Sequence, residues 1–436
     1  MTNQRSIHSC ALVAIVGVGL AALGVAGCGA HKGSDDDDDH GHDDAQAVDA
    51  PVDALVVPGV PSDCFDAAER GVVWLAGQQT ADGSWGTTYK TASTAFAVLK
   101  LETYAREIGH SPFDATFPYA DQVAHGLDYL MSKARVYALA PQFSGDPDSN
   151  GNGLGVYFST IDDAMYENAV VLMAIVAGEE PTRMVVSANT LVDGRTYRSV
   201  AEDAVDYLAL AQSDAAGSPK DICARGGWAY GAWDRMGDIG SDNSVTQFVT
   251  LALAYARHPR YGYEIPTPPW VLTALRDWVA CVQNHDGGPE DGGSGYDRPT
   301  FDVDAYKTGA LIQQHAFLGD DATAPEVTAA LAFLQRVWTD DTGIGWRKSP
   351  SSTYLAMYSI MKGMESMALD DLGDIDWYRQ FCDQLKTEQL ADGSWPTSDW
   401  DPANNDPLHV GPSGLESTEW ALLTLERAAP PPEPVN

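Results

Sequence analysis

The fold class that the sequence predicts is all-α, with six helical hairpins closed into a ring. Three observations point there. First, a marker of the form aromatic-Leu-x3-Gln, followed by a Gly-rich turn and an aromatic residue, recurs in a unit of about 61 residues between Asp63 and Arg427. Second, each marker stands between two apolar stripes at helical spacing, such as Ala204, Tyr207, Leu208 and Ala211 before it and Val245, Phe248, Val249, Ala252 and Ala256 after it. Third, no strand-like alternation competes with these stripes. Hairpins with apolar faces on both members bury them by closing, six helices inside and six outside.

The elements follow in chain order. Residues 1–27 carry Arg5 and then an uncharged run, too short to span a bilayer but laid out as a secretory signal. The run ends in Val25-Ala26-Gly27-Cys28, which resembles the bacterial lipobox. The resemblance implies lipidation of Cys28, a lipid bilayer as partner, and a mature protein in the bacterial cell envelope, outside the cytoplasmic membrane. Residues 28–62 hold adjacent carboxylates at Asp35 to Asp39, then His40, His42, Asp43 and Asp44, and read as a solvated tether. Residues 63–428 form the repeat domain and 429–436 a Pro-rich tail.

Inside the domain the first copy has Trp74-Leu75, Gln79 and Gly83-Ser84-Trp85. The second is degenerate, with Tyr129-Leu130 and Gly153-Leu154-Gly155. The third has Tyr207-Leu208, Gln212 and Gly226-Gly227-Trp228. The fourth has Trp278-Val279, Gln283 and Gly292-Gly293, the fifth Phe333-Leu334 and Gly343-Ile344-Gly345-Trp346, and the sixth Leu385, Gln389 and Gly393-Ser394-Trp395. The Gln is expected to hydrogen-bond a neighbouring loop, and the aromatic to wedge between repeats.

These turns resemble the QW repeats of the squalene-hopene cyclase and protein prenyltransferase superfamily, over the whole domain. The resemblance implies an α/α toroid whose inner helices begin at one mouth of a central cavity. Here those starts hold Asp162, Asp163 and Glu167, then Asp242, Asp302 with Asp304, and Glu416. Trp228, Tyr230, Trp233, Tyr296, Tyr306 and Trp420 are expected beside them, making an acidic and aromatic site for a small apolar, cationic or polyprenoid ligand. Acidic residues at helix starts also serve as caps.

Phe301-Asp302-Val303-Asp304-Ala305 resembles the Asp-x-Asp-Asp motif of class II terpene cyclases. That makes Asp304 the candidate catalytic acid and Asp302 its neighbour, although Ala305 replaces the last Asp. A neutral carboxyl there needs a dry cavity to outweigh the helix N-terminus. The hopene cyclases have two toroids, and this chain has residues for one. Paired carboxylates could alternatively act on glycans. Zinc is not expected: Asp221-Ile222-Cys223 precedes its turn, the corresponding helix start reads Asp242-Asn243-Ser244, and His315 sits inside a helix as a core residue. The Cys-Gly-Glu-Gln signature of thioester domains is absent.

Asp146, Asp148 and Asn150 with Gly151 have the spacing of a calcium loop, but Tyr157 stands where an EF-hand has its twelfth-position Glu. Asp162 or Asp163 could complete such a shell, or the segment could be a plain Asx-turn loop. Of the four domain cysteines, Cys223 and Cys281 are the pair that the spacing favours. Cys64 and Cys382 stand at different distances from their Gln residues, an axial offset of about 12 Å, so no bridge is expected there. A net charge of −36, from 26 basic and 62 acidic residues, excludes nucleic acid as a partner.

Overall fold

The computed structural model describes residues 60–87, 89–158, 165–214, 223–232, 240–347, 353–398, 414–428 and 430. Among these are twelve α-helices: α1 (Ser62–Gly77), α2 (Lys90–Glu107), α3 (Ala120–Lys133), α4 (Met165–Ala177), α5 (Tyr197–Ala211), α6 (Asn243–Arg257), α7 (Pro269–Val282), α8 (Ala305–Phe317), α9 (Pro325–Val337), α10 (Tyr354–Ser366), α11 (Trp377–Glu388) and α12 (Leu415–Leu425). The domain is an α/α toroid. The even-numbered helices form the inner ring, with α2 on α4, α4 on α6, α6 on α8, α8 on α10, α10 on α12, and α12 back on α2. The last hairpin therefore touches the first, as the repeat arithmetic requires.

Sequence decides which helix goes inside. In α4 every residue but Tyr166 is buried, which the continuous apolar run from Ala169 to Ala177 permits. Outer α11 buries only Trp377, Tyr378, Phe381, Cys382 and Leu385, a single stripe. Four starts are capped by a side-chain oxygen: Thr196 for α5, Asp242 for α6, Asp304 for α8 and Asp376 for α11. Pro269 and Pro325 open α7 and α9, where a missing N–H costs nothing.

The repeated turn is cemented by its Gln. Nε2 of Gln212 donates to Gly226 O at 2.7 Å and to Val271 O, in the first turn of α7, at 3.0 Å. Gln79 does the same to Gly83 and Gln122, Gln283 to Gly292 and Glu326, and Gln389 to Gly393 and Ala67. Four of the six outer helices, α1, α5, α7 and α11, thus end against the start of the next. The wedge aromatics Trp85, Trp228 and Trp395 are fully buried, their indole N–H groups donating to Leu75, Leu208 and Leu385. A threonine in the following inner helix, Thr94, Thr246 or Thr418, accepts from the same tryptophan's backbone N–H.

Two features differ from the sequence reading. The degenerate second copy forms an antiparallel hairpin, β1 (Arg135–Ala138) with β2 (Leu154–Tyr157), in place of the Gly-rich turn. Cys64 and Cys382 are bridged, with Cα atoms 5.7 Å apart, as are Cys223 and Cys281. The expected offset assumed that outer helices stand level. Because the end of α11 meets the start of α1, unequal distances from the two Gln residues bring these cysteines to one height. Among the described residues no helix is long and apolar enough to cross a membrane.

Candidate functional site

Alternate inner helices send one ring each to the axis. Phe96 of α2, Phe248 of α6 and Tyr358 of α10 meet with centroids 5.9, 6.4 and 6.1 Å apart, which three side chains from opposite walls can do only at the centre. These rings separate the two ends of the toroid. Toward the starts of the inner helices, Tyr166 lies on Phe248 at 5.2 Å and on Tyr230 at 5.7 Å. The Tyr230 and Tyr296 hydroxyls are 3.0 Å apart. Tyr230 is 52% exposed, so the cluster reaches solvent.

Asp242 is the carboxyl inside this cluster. It sits between Trp228, whose carbonyl takes its N–H, and the first turn of α6, and it acts electrostatically on Tyr166, Tyr296 and Tyr306. Its Oδ1 accepts from the Ser244 hydroxyl at 2.6 Å and from the Val245 N–H at 2.9 Å. Burial pushes the Asp242 carboxyl up to about 7, against the pull of those hydrogen bonds. The same burial holds the Tyr166 and Tyr306 phenols neutral well above their usual range. Glu167 is buried on α4, and Glu416 of α12 accepts from the Ser93 hydroxyl of α2 at 2.9 Å, tying the ring's seam. Trp420 is buried on α12.

The candidate catalytic pair, Asp302 and Asp304, shares one buried lysine. Asp304 caps α8 through Oδ1, which accepts from the Lys307 N–H at 2.8 Å, and its Oδ2 contacts the Lys307 ammonium. Burial pushes its carboxyl up and Lys307 pulls against that. Asp302, with a backbone φ of +56°, reaches the same ammonium at 3.2 Å. Both Asp304 oxygens are thus occupied by one buried lysine, which the sequence reading passed over although it stands one helical turn on. Trp228 corrects the expected ligand set: its indole is spent on Leu208, so it is a wedge in the shell and not a wall of the site. Asp162, Asp163, Trp233 and Cys28 lie outside the described residues, as do the signal, most of the tether and nearly all of the tail.

The remaining motifs resolve locally. His315 is buried and its Nδ1 lies 2.8 Å from Asp320 Oδ2. In the Asp-Asn loop, Asp148 accepts from the amides of Gly151, Asn152 and Gly153, and Asp146 from that of Asp148. At the opposite mouth, where the inner helices end, lies a cavity of about 540 Å³ that the sequence did not signal. Several of its charges meet, Arg106 with Glu179, Arg427 with Glu365, and Lys100, just inside, against Glu426, while burial pushes the Glu107 carboxyl up to about 7. Lys362 also donates to the carbonyl of Ala428, a few residues past α12, and so fastens that residue at this mouth.

Fold and site together define an α/α toroid with an acidic, tyrosine-lined end. Among solved structures, a family 76 α-mannanase from Bacteroides thetaiotaomicron is similar to 84% of this chain over 95% of its own, with a TM-score of 0.51 at 11% identity. The type II terpene cyclase MstE from Scytonema matches 84% of this chain and 98% of its own at 14% identity and a TM-score of 0.49. Protein geranylgeranyltransferase-I from Candida albicans matches 82% and 90% at 11% identity and 0.46. At such identities the likeness is one of fold alone, and it is the fold expected from the repeats. No protein-family model and no curated protein matches the chain.

Proposed function

We propose that the protein is an exported, lipid-anchored toroid that binds a small apolar cation in its acidic and aromatic end. The observation that carries this reading is the tyrosine cluster around Asp242. Neutral phenol faces attract cations through the ring quadrupole, and a carboxyl at about 7 can ionise fully once a positive guest arrives. The only described lysine close by, Lys307, is engaged by Asp302 and Asp304. A neutral polyprenoid would use the aromatic surfaces and leave the carboxyl without a role. Export is supported by the Val25-Ala26-Gly27-Cys28 sequence and by two disulfides, which persist in oxidising compartments.

Calorimetric titration with tetraethylammonium tests the site, with squalene and a mannose oligosaccharide as separate arms. Saturable binding of the cation is expected, weakened roughly tenfold by Asp242→Asn. Binding of only the polyprenoid or only the sugar would replace the proposal.

A second reading places chemistry at the same end. A carboxyl near 7 is poised to donate a proton, and Asp242 is better placed for it than Asp304, which Lys307 holds. Mass-spectrometric product analysis after incubation with squalene decides. A cyclised product made by the wild type, lost in Asp242→Asn and kept in Asp304→Asn, would establish it. Loss in Asp304→Asn alone would instead favour a class II cyclase mechanism at that residue. Release of sugar from a mannan would favour a glycan-acting enzyme, the activity named for the mannanase that shares the fold.

A further inference from the structure

Segment 145–153, the second part of the connection from β1 to β2, carries Asp146, Asp148, Asn150 and Asn152 at alternate positions. The structure lays this segment along outer helix α5. Tyr157 stacks on Tyr207 at 4.9 Å, and Trp270 of α7 donates its indole N–H to the Asp146 carbonyl at 3.3 Å, so the loop is fixed from both sides.

Facing the loop, α5 presents two wholly buried carboxylates one turn apart, Asp203 and Asp206. Asp203 is provided for: Arg195 lies 2.7 Å from one oxygen, and the Asn150 and Asn152 amides donate to the other at 2.8 Å each. Asp206 is not. Its Oδ1 accepts from the Ser149 N–H at 3.2 Å and the Ser149 hydroxyl also favours the ionised carboxyl, which turns the group toward the loop, while Oδ2 is buried with no hydrogen-bond partner within reach among the described residues. Asp203 and Asp148 both lie close enough to repel it. An orphan carboxylate oxygen, buried among like charges, is a costly arrangement unless a cation completes it.

We propose that segment 145–153 and α5 together form a calcium-class cation site, in which Asp206 supplies the inner carboxylate and Asp146, Asp148 and Asn150 the loop oxygens, the three carboxylates drawing together around the ion from positions wider than a shared coordination shell. The carboxylate that the loop lacks at its twelfth position, where Tyr157 stands, comes from a different element. The amide hydrogen bonds to Asp148 are compatible with this, because Oδ1 takes the Gly151 and Asn152 amides while Oδ2 accepts from Gly153 alone and keeps a lone pair for the ion. An all-oxygen set on a flexible loop suits calcium better than magnesium, which demands a tighter octahedron and keeps more of its water. The ion would clamp the β-hairpin onto α5, supplying in the degenerate second repeat the cohesion that the Gln and Trp give elsewhere.

The test is calorimetric titration of EDTA-stripped protein with CaCl2, with MgCl2 in parallel and Tm measured in both states. The expected result is one calcium ion per chain with a Kd below about 1 mM and a Tm that rises with calcium. Asp206→Asn should weaken binding at least tenfold and remove the calcium-dependent rise, while its Tm in EDTA equals or exceeds the wild type's, because a buried charge has gone. Asp146→Asn, a change at an exposed position that leaves the core intact, should weaken binding as well. No saturable binding to the wild type, equal binding to Asp206→Asn, or equal affinity for magnesium would each overturn the proposal.

Discussion

At the scale of single residues, Asp242 combines two demands on one carboxyl group. Capping α6 and accepting from Ser244 favour the ionised form, and burial among tyrosines disfavours it more strongly, so the group titrates near 7. An aspartate in the unfolded chain titrates at about 3.9. The folded form therefore holds a proton that the unfolded form has already released. The stabilisation this gives is complete below about pH 4 and is lost as pH rises through about 7, with a slope approaching roughly 1.4 kcal/mol per pH unit between those values. Glu107, pushed up to about 7 by burial, adds to the same trend. Asp242→Asn keeps the capping oxygen and abolishes the titration. In urea unfolding it should match the wild type below about pH 4 and exceed it by a margin that grows with pH to at least about 1 kcal/mol at pH 8. A wild-type pH dependence that the substitution leaves unchanged would remove Asp242 as its source.

At the scale of elements, the repeated turn is held by parts that differ in how visible they are in the sequence. The Gln and Trp recur at fixed spacing and act within a few residues of themselves, so their structural roles were readable from the pattern. Thr94, Thr246 and Thr418 were not, because a threonine near a helix start reads as a cap and nothing local says that it accepts from a tryptophan N–H. Lys307 is hidden for the same kind of reason: nothing in the Asp-x-Asp spacing says that the cation three residues on turns back onto both carboxylates. The bridge between Cys64 and Cys382 depends on how outer helices are staggered, which linear spacing does not contain. The turn glycines make a test of close approach. Gly226 has φ +88°, and a Cβ there would stand 1.8 Å from the Ala274 carbonyl oxygen of the next outer helix. Gly287 has a similar φ of +70° with open space around it. Gly287→Ala should cost about 1 to 2 kcal/mol from the left-handed backbone alone, and Gly226→Ala several-fold more, since two outer helices must part. Equal costs in thermal unfolding would mean that the turn does not set the helix spacing.

At the scale of the whole molecule, the question is what keeps a ring of six hairpins from opening, since every repeat interface but one joins neighbours in sequence. The exceptional interface joins the last hairpin to the first, and it carries extra fastenings. Arg379 grips Asp63 through two hydrogen bonds of 3.0 and 2.8 Å, Lys386 contacts the same carboxylate, and together they hold it well below the usual carboxylate range. Gln389 reaches Ala67, Glu416 takes the Ser93 hydroxyl, and Cys64 is bonded to Cys382. The Asp63 pairs are partly exposed and are screened by solvent, so the covalent link dominates. In the chain-entropy account, closing a loop with a sequence separation of 318 stabilises by about 6 kcal/mol, against about 4 kcal/mol for the separation of 58 between Cys223 and Cys281. The difference in kind matters more than that difference in size. The short bridge lies within one stretch of the wall, whereas the long one spans the seam. Cys223→Ser/Cys281→Ser should therefore lower stability and leave unfolding a single transition. Cys64→Ser/Cys382→Ser should lower it further and let the first and last hairpins detach before the rest. Hydrogen exchange would show this as early loss of protection in α1, α11 and α12 with α6 and α8 still protected. If both variants unfold in one step with uniform loss of protection, the inner ring alone holds the circle closed.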